Sequence, residues 1–244
     1  MRRALRGALE ADAERLRAQG DAHSATSGAA DERMLSLGRA KAAALGAALC
    51  RPAPGAVAFV GSSTFTFWRR LREDFPERRV YNAAFGGSGT ADQLDDEMFD
   101  DLVAQHRPSC VVYFCGSNDV ARGRSAAFAA EGFRRFFERV RRQLGLEVRI
   151  VYLAIGITPL FREMPGVAPE ALLSNERVKC FCESSGDAEL RFVDCNSLPW
   201  ASDTASYLGD GHHLNDEGHR LLADALRPHL GACGLMAARR DAKL

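Results

Sequence analysis

Phe59-Val-Gly-Ser-Ser63 ends an apolar run on a serine, and Asp210-Gly-His-His213, far downstream, places an aspartate three residues before a histidine. Between them stand Gly86-Gly87 and Gly116-Ser-Asn-Asp119. Together these residue types suit acyl transfer. A serine hydroxyl is a weak nucleophile until a base takes its proton, and an imidazole oriented by a carboxylate is such a base. Backbone N–H groups or an asparagine amide can then hold the oxyanion that forms. Each block is short enough to recur by chance, so the combination, not any one block, makes a hydrolytic site the leading reading.

Taken singly, every block has a plainer explanation. Ser62, Ser63 or Thr64 can cap a helix. Gly86-Gly-Ser-Gly89 can be a turn before a helix; it is neither a Walker loop nor a dinucleotide-binding turn. Asn118 suits an oxyanion donor, while Asp119 suits a loop tie. Asp210 is spaced to hold one ring nitrogen of His213 and leave the other facing a serine. Asn215 could cap a following helix, but a cap does not require His213; His212 has the wrong spacing and is expected to point elsewhere. Asp210, His212 and His213 come nearest to a metal site, and the expectation is neither metal nor organic cofactor.

The elements that must position these blocks alternate. Strand-like runs lie at 56–60, 79–82, 110–115, 148–155 and 190–194, with helical stretches at 67–74, 91–106, 125–144, 168–184 and 215–229. This order predicts an α/β fold, a parallel sheet covered by helices on both faces with its site at the carboxyl ends of the strands. In the 125–144 helix Phe133, Phe136, Phe137, Val140 and Leu144 form an apolar face, and Arg134, Arg135, Arg139, Arg141 and Arg142 read as a solvated one. Ahead of the sheet, segments 2–19 and 31–50 are rich in Ala, Leu and Arg, with Met34, Leu37, Lys41, Leu45 and Leu49 at helical spacing until Arg51-Pro-Ala-Pro-Gly55 stops the pattern. The chain therefore divides into an N-terminal helical extension (1–52), a main domain (53–230) and a C-terminal tail (231–244). The extension is expected to pack on the domain or on a second subunit, which makes a homodimer through these helices a candidate assembly.

Composition narrows the function classes. Of 244 residues, 46% are apolar and 26% charged, and Lys+Arg equals Asp+Glu at 32 each. A neutral balance offers no electrostatic case for nucleic acid or an anionic membrane as partner. No apolar run approaches the ~18 residues of a membrane span, and the N-terminus lacks a secretory apolar core. Seven cysteines without framework spacing fit reduced thiols and a cytoplasmic location. The terminal Ala242-Lys-Leu244 differs by one residue from a peroxisomal address, which would matter in a eukaryotic cell.

Residues 56–230 resemble the SGNH hydrolases, also called GDSL esterases/lipases. Gly61-Ser62-Ser63 stands where that family has Gly-Asp-Ser; Gly87, Gly116-Ser-Asn118-Asp119 and the Asp210/His213 pair match its later blocks. Trp68, Asp74-Phe-Pro76, Phe85-Gly-Gly-Ser88, and Tyr152-Leu-Ala-Ile155 with Pro159 and Arg162 are similar to a subgroup carrying serine in place of the Gly-Asp-Ser aspartate. The resemblance implies a flavodoxin-like three-layer α/β/α sandwich with about five parallel strands. It implies Ser63 as nucleophile, His213 as base, Asp210 as its orienter, and an oxyanion hole from the N–H groups of Ser63 and Gly87 with the Asn118 amide. The departure at Ser62 bears on how the nucleophile turn is braced. Loops 156–170 and 197–209 are expected to form the specificity walls, with Phe65, Phe67, Trp200 and Tyr207 as candidate subsite residues. The implied substrate is a small-molecule ester, with short, acetyl-like acyl groups on a carbohydrate or small alcohol preferred. An O-acyltransferase, a lysophospholipase or thioesterase, and a non-catalytic binding domain are the alternatives.

Overall fold

The computed structural model describes residues 36–44 and 52–236. In chain order, helix α1 (36–44) precedes β1 (Val57–Gly61), α2 (Ser63–Thr66), α3 (Leu71–Asp74), β2 (Val80–Asn82), α4 (Asp96–Leu102) and β3 (Cys110–Phe114). The second half holds α5 (Ser117–Ala121), α6 (Ala126–Leu144), β4 (Arg149–Leu153), α7 (Pro159–Glu163), α8 (Val167–Ser184), β5 (Leu190–Val193) and α9 (Asp216–Leu230). The five strands pair in the order β2-β1-β3-β4-β5, all parallel.

Parallel strands need helical crossovers, and these cover both faces of the sheet. Alternation along β1 divides the core accordingly. Ala58 and Val60 face a layer built by Phe99 and Leu102 of α4 and by Phe133, Phe136 and Val140 of α6. Val57 and Phe59 face Phe65, Trp68, Leu71, Phe75 and the α9 residues Leu222, Leu226 and Leu230. The result is the expected three-layer α/β/α sandwich.

Several local expectations change. The helix expected over 91–106 is broken into 3-10 turns at Asp92–Leu94 and Ala104–His106 flanking α4. Asp95 causes the first break: it leaves helical geometry (φ −58, ψ 134) so that its side chain can accept from the Met98 N–H and cap α4. The 67–74 stretch is helical only from Leu71: Phe67 is the C-cap of α2 and Arg70 the N-cap of α3. The Arg face of α6 is only partly solvated. Arg139 is buried over the Phe99 ring, paired with Asp96 at 2.9 Å and donating to Leu94 O, and Arg141 makes a two-pronged pair with Asp187. In α1 the buried residues are Gly38 and Ala42, while Leu37 is exposed and Lys41 half-buried. This helix packs on its own domain, Ala42 joining the core and Arg39 pairing with Glu97. The expected 2–19 helix and Met34, Leu45 and Leu49 lie outside the described residues. Among those described, no helix is long and apolar enough to cross a membrane.

Candidate active site

Parallel strands start at one edge of the sheet and end at the other, so the turns after β1, β2 and β3 and the loop before α9 converge at the carboxyl edge. Ser63 is the first residue of α2, separated from β1 by Ser62 alone. The turn requires Gly61, whose φ of +148 is unfavourable for a side chain and whose Cβ would lie 1.9 Å from Phe114 O on the neighbouring strand. Ser62 precedes α2 in extended geometry but makes no side-chain cap, which sets aside the capping role that the sequence allowed it.

Ser63 Oγ lies 2.9 Å from His213 Nε2, although 150 positions separate the two residues. On the far side of the ring, His213 Nδ1 is 2.6 Å from Asp210 Oδ2. Asp210 Oδ1 accepts the backbone N–H groups of His212 and His213 at 2.9 and 3.0 Å, so one short turn fixes the carboxylate against the ring. Desolvation raises the Asp210 carboxyl, but the hydrogen bonds from the His213 ring and from these two N–H groups outweigh it and hold it down at about 2. An ionised Asp210 accepts at Oδ2, so Nδ1 carries the ring proton and Nε2 presents a lone pair to the Ser63 hydroxyl.

The other two expected residues meet each other through Ser88. Asn118, on α5, donates its amide to Ser88 O at 2.9 Å, which leaves its second N–H for another acceptor. Arg122, the C-cap of the same helix, donates to Gly87 O at 2.7 Å. Residues 24–221 match the model of the GDSL-like Lipase/Acylhydrolase family. The chain belongs to that family. It is a carboxylic ester hydrolase of the GDSL/SGNH type. A Streptococcus pneumonia protein named for platelet activating factor superposes on this acylhydrolase with a TM-score of 0.63 at 19% identity, over 82% of this chain and 93% of that one. A carbohydrate esterase family 3 structure from Talaromyces cellulolyticus gives 0.59 at 17% identity, over 71% and 95%. A GDSL-like lipase from Bacteroides thetaiotaomicron gives 0.57 at 18%, over 70% and 85%. At these identities the likeness is one of fold. No curated protein matches the chain.

Around the Ser63–His213–Asp210 cluster the aromatic expectations divide. Phe65 is fully buried against Phe59, Trp68 and Phe114, so it is core and not a subsite wall. Tyr207 is buried too, its hydroxyl donating to Ala201 O, and Trp200 packs against the same layer. Phe67 is the aromatic that reaches the site: its ring stands edge-on to His213 at 4.6 Å and is 43% exposed. Residues 65 and 67 differ because the 3.6-residue helical period sends neighbours two apart to different faces.

Some contributors carried no recognisable sequence signal. His219, on α9, stacks on Trp68 at 5.0 Å and reaches Thr64 O with Nε2 at 2.9 Å, steadying the peptide next to Ser63. Burial lowers its pKa, and a carbonyl partner requires the proton on Nε2. His212 turns away from Ser63, as its spacing suggested: Nδ1 is 3.2 Å from Thr158 Oγ1 and its ring packs on Phe161. Leu160 of α7 donates its N–H to Gly211 O, so the 156–170 loop buttresses the Asp-Gly-His-His turn. Asp119 ties its loop by accepting from Thr90 N at 2.9 Å, and desolvation by burial raises it to about 6. Among the described residues no group of three or more His, Cys, Asp and Glu is arranged to hold a metal ion.

Proposed function

We propose that the chain hydrolyses small esters through an acyl-enzyme, with Ser63 as nucleophile, His213 as general base and Asp210 as its orienter. The observation that carries this reading is the continuous Ser63–His213–Asp210 chain at 2.9 and 2.6 Å. As Ser63 Oγ attacks the ester carbonyl, His213 Nε2 takes its proton, and the ionised Asp210 stabilises the imidazolium that forms. The oxyanion is received by the N–H groups of Ser63 and Gly87 and by the Asn118 proton not engaged with Ser88 O. His213 returns the proton to the leaving alkoxide. It then activates a water that displaces the acyl group from Ser63.

The preferred substrate is a short, acetyl-like acyl group on a carbohydrate or small alcohol. The names of two fold neighbours, a carbohydrate esterase and an acetyl esterase bearing an acetate ion, support that choice. Water is taken as the acceptor because the matching family is one of lipases and acylhydrolases. The test is hydrolysis of p-nitrophenyl esters from acetate to decanoate, with Ser63→Ala as control. Activity that falls with chain length and vanishes in the variant is expected. Equal activity in the Ser63→Ala protein would overturn the nucleophile, and a decanoate optimum would overturn the substrate class.

A further inference from the structure

The side chain at position 62 supplies no hydrogen bond to brace the nucleophile turn. Ser62 Oγ is fully buried and has no hydrogen-bond partner. The turn is nevertheless tied down from the opposite side. Gly61 O, the last carbonyl before Ser62, accepts the Phe85 N–H at 3.1 Å and lies 3.1 Å from Ser88 Oγ and 3.3 Å from Gln93 Nε2. Gln93 Nε2 also donates to Ser88 Oγ at 2.8 Å, while that hydroxyl reaches Phe85 O at 2.9 Å. The backbone oxygen of the same serine receives the Asn118 amide. Both residues are interior, Ser88 at 0% and Gln93 at 4% exposure.

We infer that Ser88 and Gln93 are a positioning pair that holds the nucleophile turn, the Gly87 segment and the Asn118 amide in one fixed arrangement. Ser88 is the hub. Its hydroxyl contacts the peptide leading into Ser62-Ser63, its own peptide follows Gly87, and its carbonyl fixes the side chain that would receive the oxyanion. Gln93 orients that hydroxyl and caps Gly61 O from a 3-10 turn anchored by α4. All three groups serve the tetrahedral state more than the bound ester, so loosening them weakens catalysis before binding. The pair shares a buried network, so its members act as a unit and not as independent contacts.

The inference rests on the serine mechanism proposed above, and its test keeps the two separable. Ser88→Ala, Gln93→Met (close in volume, without the amide) and the double variant are assayed on p-nitrophenyl acetate, with rates divided by the competent sites counted with a fluorophosphonate probe. One neutral hydrogen bond lost from the transition state lowers kcat by about 3- to 10-fold. The expected result is that loss in each single variant, KM within about twofold, and a double variant no worse than the poorer single. Unchanged kcat per titrated site, or a change confined to KM, would refute the positioning role; multiplied losses would refute the shared unit. Gln93→Ala, read by the same outcomes, replaces Gln93→Met should the latter not fold. Full activity in Ser63→Ala would point to failure of the underlying mechanism instead.

Discussion

The substitution Asp210→Asn tests the proton arrangement of the site without dismantling the turn. The amide oxygen of the substituted side chain can still accept the N–H groups of His212 and His213, now at 2.9 and 3.0 Å from Oδ1, so the loop should persist. The NH2 group then faces His213 Nδ1 across a gap that is 2.6 Å in the native chain, and Nδ1 must become an acceptor. The ring proton moves to Nε2, 2.9 Å from Ser63 Oγ, where a lone pair is needed. Two costs follow: the productive tautomer becomes the minor one, and the imidazolium loses a charge-assisted hydrogen bond worth about 1.5–3 kcal/mol. In the buried serine-protease template the same change costs about 10⁴ in kcat. Here the Asp210 side chain is 47% exposed, so solvent screening lowers the electrostatic share. We expect kcat to fall by about 10²–10³, roughly 3–4 kcal/mol, with the melting temperature nearly unchanged. The assay is p-nitrophenyl acetate hydrolysis at pH 8, with Ser63→Ala as background. A variant within about threefold of wild type would refute the reasoning, because His213 would then not depend on Asp210 for its tautomer.

Three further outcomes are expected. Ser63→Ala should abolish both turnover and fluorophosphonate labelling, whereas Ser62→Ala, which removes a hydroxyl with no partner, should keep kcat within a few-fold; the reverse pattern in mass-mapped labelling would exchange their roles. Gly61→Ala should destabilise by roughly 3 kcal/mol or yield no folded protein, since its Cβ would meet Phe114 O at 1.9 Å, and an unchanged denaturation midpoint would contradict the packing. Asp119, raised to about 6 from 3.8, binds its proton more tightly folded than unfolded. Its contribution to stability is therefore complete below about 3.8 and lost as pH rises through about 6. Asp119→Asn should flatten the pH dependence of stability across that window by up to about 3 kcal/mol, and identical urea-denaturation profiles for variant and wild type would count against the buried charge.

Much of the fold was readable because its signals are local. Cys110-Val-Val-Tyr-Phe114 is an apolar, β-branched and aromatic run of strand length, and Phe133, Phe136 and Val140 keep helical spacing, so both elements fall within a residue or two of their expected places. The break at Asp95 escaped the pattern because it depends on whether one side chain turns back onto Met98 N, which helical periodicity does not register. Arg139 escaped for a different reason: its type marks it as solvated, yet α6 lays it over Phe99 beside the carbonyls of 94–96. Within the candidate site, Ser63, Asp210 and His213 announced themselves by type and spacing. Gln93 and His219 did not, since a lone glutamine or histidine has no fixed offset from the chemistry it serves.

By itself the sequence determined the inventory and its order: which side chains can attack, accept a proton or hold an oxyanion, and the strand–helix alternation that carries them. Only the tertiary structure decided which of them meet. The in-register parallel pairing of β1 with β2 and β3 brings three turns to one edge, and packing of α9 against that sheet delivers His213 to Ser63 across 150 positions. The same packing sent Phe65 inward and left Phe67 beside the imidazole. It also set the Ser88–Gln93 pair behind the turn into Ser63, where the Ser62 hydroxyl makes no hydrogen bond. Side-chain type and period are properties of a few neighbouring residues. A contact between distant residues is fixed by the sheet register and helix packing of the whole domain.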